Sequence, residues 1–84
     1  MRSEIHLHDV VALLEDIRAN HFETGEPLLL RRGQIGTVVM KYDDTVEVEF
    51  ADRSGRAYAL QSISTARLMV LHDSPDHPSV VSAQ

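Results

Sequence analysis

The sequence predicts an all-β domain in which five short antiparallel strands roll into a small barrel. Three observations lead there. Residues Thr45–Phe50 alternate polar and apolar side chains, turn signals recur about ten residues apart, and no amphipathic helix is long enough to cover an open sheet.

The first apolar run, Val10–Leu14, is closed by Glu15 and Asp16 and has the length of a strand. Val10, Leu13, Leu14 and Ile17 also fit a helical stripe, so periodicity alone leaves the choice open, and the strand reading follows from what comes after. From Arg18 to Leu30 the chain carries Asn20, Gly25 and Pro27 without a sustained period, which predicts a long loop after the first strand. Phe22 and the triplet Leu28, Leu29 and Leu30 are expected either to cover an open end of the barrel or to meet a partner.

Arg32-Gly33-Gln34-Ile35-Gly36-Thr37-Val38-Val39-Met40 places two glycines around the entry to a β-branched run. Gly33 suits a positive φ at a tight turn, and Gly36 suits a close backbone approach or a bulge. Asp43 and Asp44 end that run. Val46, Val48 and Phe50 then face a core while Thr45, Glu47 and Glu49 face water. The two strands form a hairpin through Tyr42–Asp44, and Asp52–Gly55 makes a second turn with Gly55 in the left-handed position. Arg56–Leu60 is the fourth strand. Ser62, Ser64 and Thr65 offer side-chain oxygens to a short helical turn near Ala66, and Leu68–Leu71 is the last strand.

Five strands with no helix to cover them must curl, and closure also removes exposed edges. The order of elements is that of an SH3-like barrel. Residues 1–72 read as one domain with a polar leader, Met1–Asp9, and residues 73–84 as a flexible tail, because Pro75 and Pro78 cannot donate to a ladder.

Composition narrows the function. The chain has 84 residues and no cysteine, so neither disulfides nor thiolate zinc sites can supplement one modest core. Thirteen acidic against eight basic residues give a net charge of −5, which repels nucleic acid at long range and favours a partner with a basic surface. No apolar run approaches the roughly 20 residues of a membrane helix, and the N-terminus lacks the pattern of a secretory signal. A cytoplasmic location is the expectation.

Four blocks carry a family resemblance: Leu7-His8-Asp9-Val10-Val11-Ala12-Leu13-Leu14-Glu15-Asp16, Arg31-Arg32-Gly33-Gln34-Ile35-Gly36-Thr37-Val38-Val39, Val46-Glu47-Val48-Glu49-Phe50 and Gly55-Arg56-Ala57-Tyr58-Ala59-Leu60. In that order they resemble the domain-of-unknown-function 4926 (DUF4926) family, over roughly Ile5 to Leu71. A weaker similarity is to the barrel portion of nitrile hydratase beta subunits. The resemblance implies a fold and a bacterial setting, together with a role as an antitoxin-like or accessory partner of a neighbouring gene product. It brings no catalytic residues.

The remaining motifs point to binding. Catalysis needs a nucleophile beside a base or paired acids in a cleft, and the serines lie in turn-like or tail contexts, so no enzyme and no cofactor are expected. His6 and His8 could approach His72 and Asp73, but solvated histidines account for that spacing and no metal site is assigned. The leading expectation is a non-catalytic protein-interaction module that uses Phe22, Leu28, Leu29 and Leu30 with the acidic pair Glu47 and Glu49. The alternative is a small nucleic-acid-binding barrel using Arg31, Arg32 and Lys41, helped by Arg53 and Arg56. Strand edges, or the Leu28–Leu30 segment, would also allow a homo-oligomer.

Overall fold

The computed structural model describes residues 4–76 and is all-β, with seven strands and one 3-10 turn. The strands are β1 (Val10–Leu13), β2 (Ile17–Asn20), β3 (Pro27–Leu30), β4 (Ile35–Lys41), β5 (Thr45–Ala51), β6 (Ala57–Ser64) and β7 (Leu68–Val70). Five form one antiparallel sheet in the order β6-β5-β4-β1-β7, and β2 pairs with β3 in a separate hairpin. The five strands of the sheet are those expected from the sequence, except that β6 runs on to Ser64, past the expected end at Leu60, so that Ser62 belongs to the strand.

The segment expected to be a long loop is the β2–β3 hairpin, with Ile17 opposite Leu30 and Asn20 opposite Pro27. Two local features hid it. Leu28, Leu29 and Leu30 are apolar on both faces and show no alternation, and Pro27 stands at the first residue of its strand, the one place where a missing N–H does no harm. On β2 the pattern is regular: Ile17 and Ala19 are buried, Arg18 and Asn20 exposed.

One core gathers residues from every strand. Val38, Val46, Val48, Phe50 and Ala59 are wholly buried, joined by Val11, Leu13, Leu30, Ile63 and Leu68. Ile5 is buried in it too, so the leader is not purely polar; its backbone also bonds to β4, with His8 N–H donating to Val38 O at 2.7 Å. Removing Phe50 from water alone contributes about 1.5–3 kcal/mol.

Gly36 explains how the sheet bends tightly around this core. A Cβ there would lie 2.5 Å from Val48 Cγ1 and 3.0 Å from Phe50 Cε2, so only a hydrogen lets β4 pass that close. Bulges at Val39 (between β4 and β5) and Tyr58 (between β5 and β6) add curvature. Gly55, at φ 87°, closes the β5–β6 turn as the alternation requires. Ser64 accepts from Ala66 N–H and starts the one-turn helix Thr65–Arg67.

Closure does not remove the edges, as the sequence reading expected it to. The 3-10 turn carries the chain from one side of the rolled sheet to the other, leaving β6 and β7 as its two edges. The hairpin reaches the β6 side, where Phe22 N–H donates to Tyr58 O at 3.0 Å. Of the tail, Asp73–Asp76 contains no strand, and residues 77–84, with His77 and Pro78, lie outside the described residues. No helix among the described residues is long and apolar enough to cross a membrane.

Candidate docking face

The residues expected to bind a partner fall on two separate elements. Phe22, Leu28, Leu29 and Leu30 belong to the hairpin, and they do not act together. Leu30 is buried in the core and Leu28 packs against it, which removes both from a contact surface; Phe22 and Leu29 are each 52% exposed. Pairing decides this split, because Leu28 and Leu30 share the inward face of β3 with Ala19 and Ile17 across the ladder.

Glu47 and Glu49 stand on the outer face of β5, on either side of the inward Val48. Glu47 accepts a hydrogen bond from the Tyr42 hydroxyl at 3.0 Å, which raises the proton affinity of that tyrosine; Glu49 is exposed. Ladder register shows what shares their face. Val10 lies opposite Thr37 and Thr37 opposite Glu49, so β1, β4 and β5 present these side chains as one row.

That row borders an apolar area which sequence reasoning did not identify. In the adjacent row Ala12 lies between Ile35 on β4 and Met69 on β7. Val10, Leu14, Ile35 and Met69 are between 42% and 55% exposed, yet Ala12 between them is only 4% exposed and stands apart from the core cluster. Its large neighbours cover it from outside. A strand such as β1, apolar on both faces, ordinarily belongs to a sheet covered on both sides. The signal was present in the unbroken run Val10–Leu14, which periodicity could not apportion between two faces.

The basic residues do not converge. Asp16 holds the Arg31–Arg32 pair: its Oδ1 accepts from Arg32 N–H at 2.7 Å and lies 3.5 Å from Arg31 Nε. The backbone bond from Arg32, followed by the charge of Arg31, lowers the Asp16 pKa. Lys41 sits at the far end of β4, about 20 Å away along the strand. Arg56 pairs with Glu23 at 3.4 Å, and Arg67 with Glu15. A nucleic-acid interface built from Arg31, Arg32 and Lys41 therefore has no common surface.

His6 and His8 precede β1 and do not lie on a strand. His8 and Asp9 line a shallow cleft with His72 and Asp73, while His6 faces Glu4 and Asp9 at 3.8 and 3.7 Å. Among the described residues no three His, Asp or Glu side chains are placed to hold a metal ion. Tyr58, a bulge residue packed on the core, accepts a hydrogen bond on its hydroxyl from the Gln34 side chain.

A family model described as a domain of unknown function (DUF4926) matches residues 7–70. No curated protein and no solved structure matches the chain.

Proposed function

The chain belongs to the DUF4926 family, whose description supplies no activity, and from the surface itself we propose that it is a non-catalytic protein-interaction module. The docking face is the outer side of the sheet, where the apolar group Val10, Leu14, Ile35 and Met69 continues into Glu47 and Glu49. The observation that carries this reading is the outer face of β1, where Val10, Ala12 and the following Leu14 are all apolar and no other element among the described residues covers Val10 or Leu14.

A matching partner presents an apolar patch beside basic side chains. The apolar half supplies affinity, and the acidic half, within a chain of net charge −5, supplies steering and orientation. The displaced carboxyl groups, Asp16 and Asp52, are explained by bonds that hold turns, which supports a binding reading over a chemical one.

The test is a comparison of retained proteins. A protein from the source cell held by the native chain should be lost with Ile35→Asp and with Met69→Asp. Glu47→Lys with Glu49→Lys should weaken retention, and Arg31→Ala with Arg32→Ala should leave it unchanged. Retention that survives Ile35→Asp and Met69→Asp rejects this face.

A further inference from the structure

We propose that the free edge of β6 pairs with the same edge of a second copy of this chain, making a two-fold dimer with one continuous sheet. The inference rests on the free backbone of this edge and does not need the outer-face reading, although the edge side chains Leu60 and Ser62 stand beside Glu49 and Glu47 on that face.

The ladder phase identifies which backbone groups are free. Tyr42 N–H donates to Thr45 O, so the polar groups of Thr45 point to β4; Thr65 N–H donates to Asp44 O, so those of Asp44 point to β6. Alternation then directs Val46, Val48 and Phe50 to β6, where they meet Ile63, Gln61 and Ala59. The N–H and C=O groups of Leu60 and Ser62 consequently face away from the sheet. The hairpin reaches this edge at Tyr58 through Phe22 and goes no further along it among the described backbone bonds.

Edges of this kind are normally protected by charge, by proline or by brevity. β7 is protected by brevity, with three residues. β6 has eight, Ala57-Tyr58-Ala59-Leu60-Gln61-Ser62-Ile63-Ser64, with no charged residue and no proline. Its outward side chains from Leu60 on, Leu60 and Ser62, are exposed, one apolar and one small.

Local complementarity selects a second copy as the occupant. A net charge of −5 opposes self-association at long range, but the line Leu60–Ser64 carries no charge, so pairing along it brings no like charges into contact. Antiparallel self-pairing about Ser62 sets Leu60 opposite Ser64 of the second copy. It also sends Arg53, at the β5–β6 turn, towards the second copy's Asp43–Asp44 turn, which adjoins the other end of β6 through Thr65, while Arg56 stays with Glu23. An isologous pairing uses each edge once and stops at two copies.

Sedimentation across the micromolar to millimolar range tests it. The native chain should approach twice 9.4 kDa. Ser62→Lys and Ser62→Glu each place like charges face to face at the two-fold axis and should weaken association at least about tenfold. Mixing the two variants should restore the dimer. Leu60→Lys, on the same exposed face, should weaken it independently, and circular dichroism should show every variant folded. A native chain that stays monomeric overturns the proposal, as does a mass that climbs beyond two copies. A dimer broken by Ile35→Asp and indifferent to the Ser62 variants also overturns it, since that result places self-association on the outer face.

Discussion

The two halves of the sheet solve the same packing problem differently. In β5 every second residue is wholly buried and its neighbours are Thr45, Glu47 and Glu49, so one face makes the core and the other meets water. In β1 and β7, and at the start of β4, both faces are apolar: Val11 and Leu13 fill the core while Val10, Leu14, Ile35 and Met69 look outward. Equal hydrophobicity therefore has unequal consequences. Inward residues stabilise the fold, whereas outward ones are surplus to it and gain their contacts only when something else covers them.

The largest expected effect separates those two roles. Phe50→Ala, which opens a cavity in the centre of the core, should cost about 3–5 kcal/mol. Ile35→Ala, removing a comparable apolar side chain from the outer face, should stay within about 0.5 kcal/mol of the native chain. Urea denaturation of both variants checks the contrast. A cost of several kcal/mol for Ile35→Ala would break the comparison, because it would place Ile35 in the packing of the monomer.

Gly36 sharpens the same contrast at one residue, since it lies next to Ile35 and faces the opposite way. A methyl group at Gly36 would run into Val48 and Phe50, so Gly36→Ala should cost about 1–3 kcal/mol and lower the thermal midpoint. A midpoint equal to that of the native chain would show that β4 can move away from β5 without loss.

The core half of the molecule was legible because alternation is a direct record of burial. Val46, Val48 and Phe50 stand inward as their spacing requires, and the turns at Asp43–Asp44 and Gly55 fall where the pattern breaks. The half that is apolar on both faces was illegible for the same reason inverted. In Val10–Leu14 no polar residue marks the outward positions, so the run reads as one buried strand, and only the register of Ala12 against Ile35 and Met69 reveals its second face. The hairpin was half legible: Ile17 to Asn20 alternate, but three adjacent leucines conceal which of them turns inward. Glu47 and Glu49 stand outward as their spacing predicts, and the apolar side chains beside them on that face were not anticipated.

A smaller effect follows on solvent exposure. Ile35→Thr with Met69→Thr should leave the unfolding midpoint nearly unchanged and reduce binding of an apolar fluorescent dye. Phe22→Ser with Leu29→Ser, on the hairpin, should reduce it less, because those two exposed side chains adjoin no continuous apolar row. Equal loss from both pairs would remove the distinction between the outer face and the hairpin.

The smallest effect concerns pH, and it asks whether the two halves are pinned alike. Asp52 fixes the β5–β6 turn in the alternating half, accepting from Ser54 Oγ at 2.7 Å and from the N–H groups of Ser54 and Arg56 at 3.0 Å. Asp16 fixes the turn after β1, reaching Arg31 and Arg32 far along the chain. The pKa of each is lowered on folding, Asp52 chiefly by the Ser54 hydroxyl and Asp16 chiefly by the Arg32 N–H. A depressed carboxyl contributes stability that is complete above its unfolded value and is lost as pH falls through its folded value. Stability should therefore hold down to about pH 4 and decline below it. Asp52→Asn keeps an oxygen for Ser54 and Arg56 and should flatten that acid slope with little loss at neutral pH. Asp16→Asn should flatten it too but lose more at pH 7, because the attraction to Arg31 reinforces a bond to Arg32, sixteen residues away along the chain. Guanidinium-free thermal scans from pH 2.5 to 7 would measure both slopes over roughly the range in which carboxyl groups titrate. Identical losses at pH 7 would show that a local turn and a long-range clasp hold this sheet equally well.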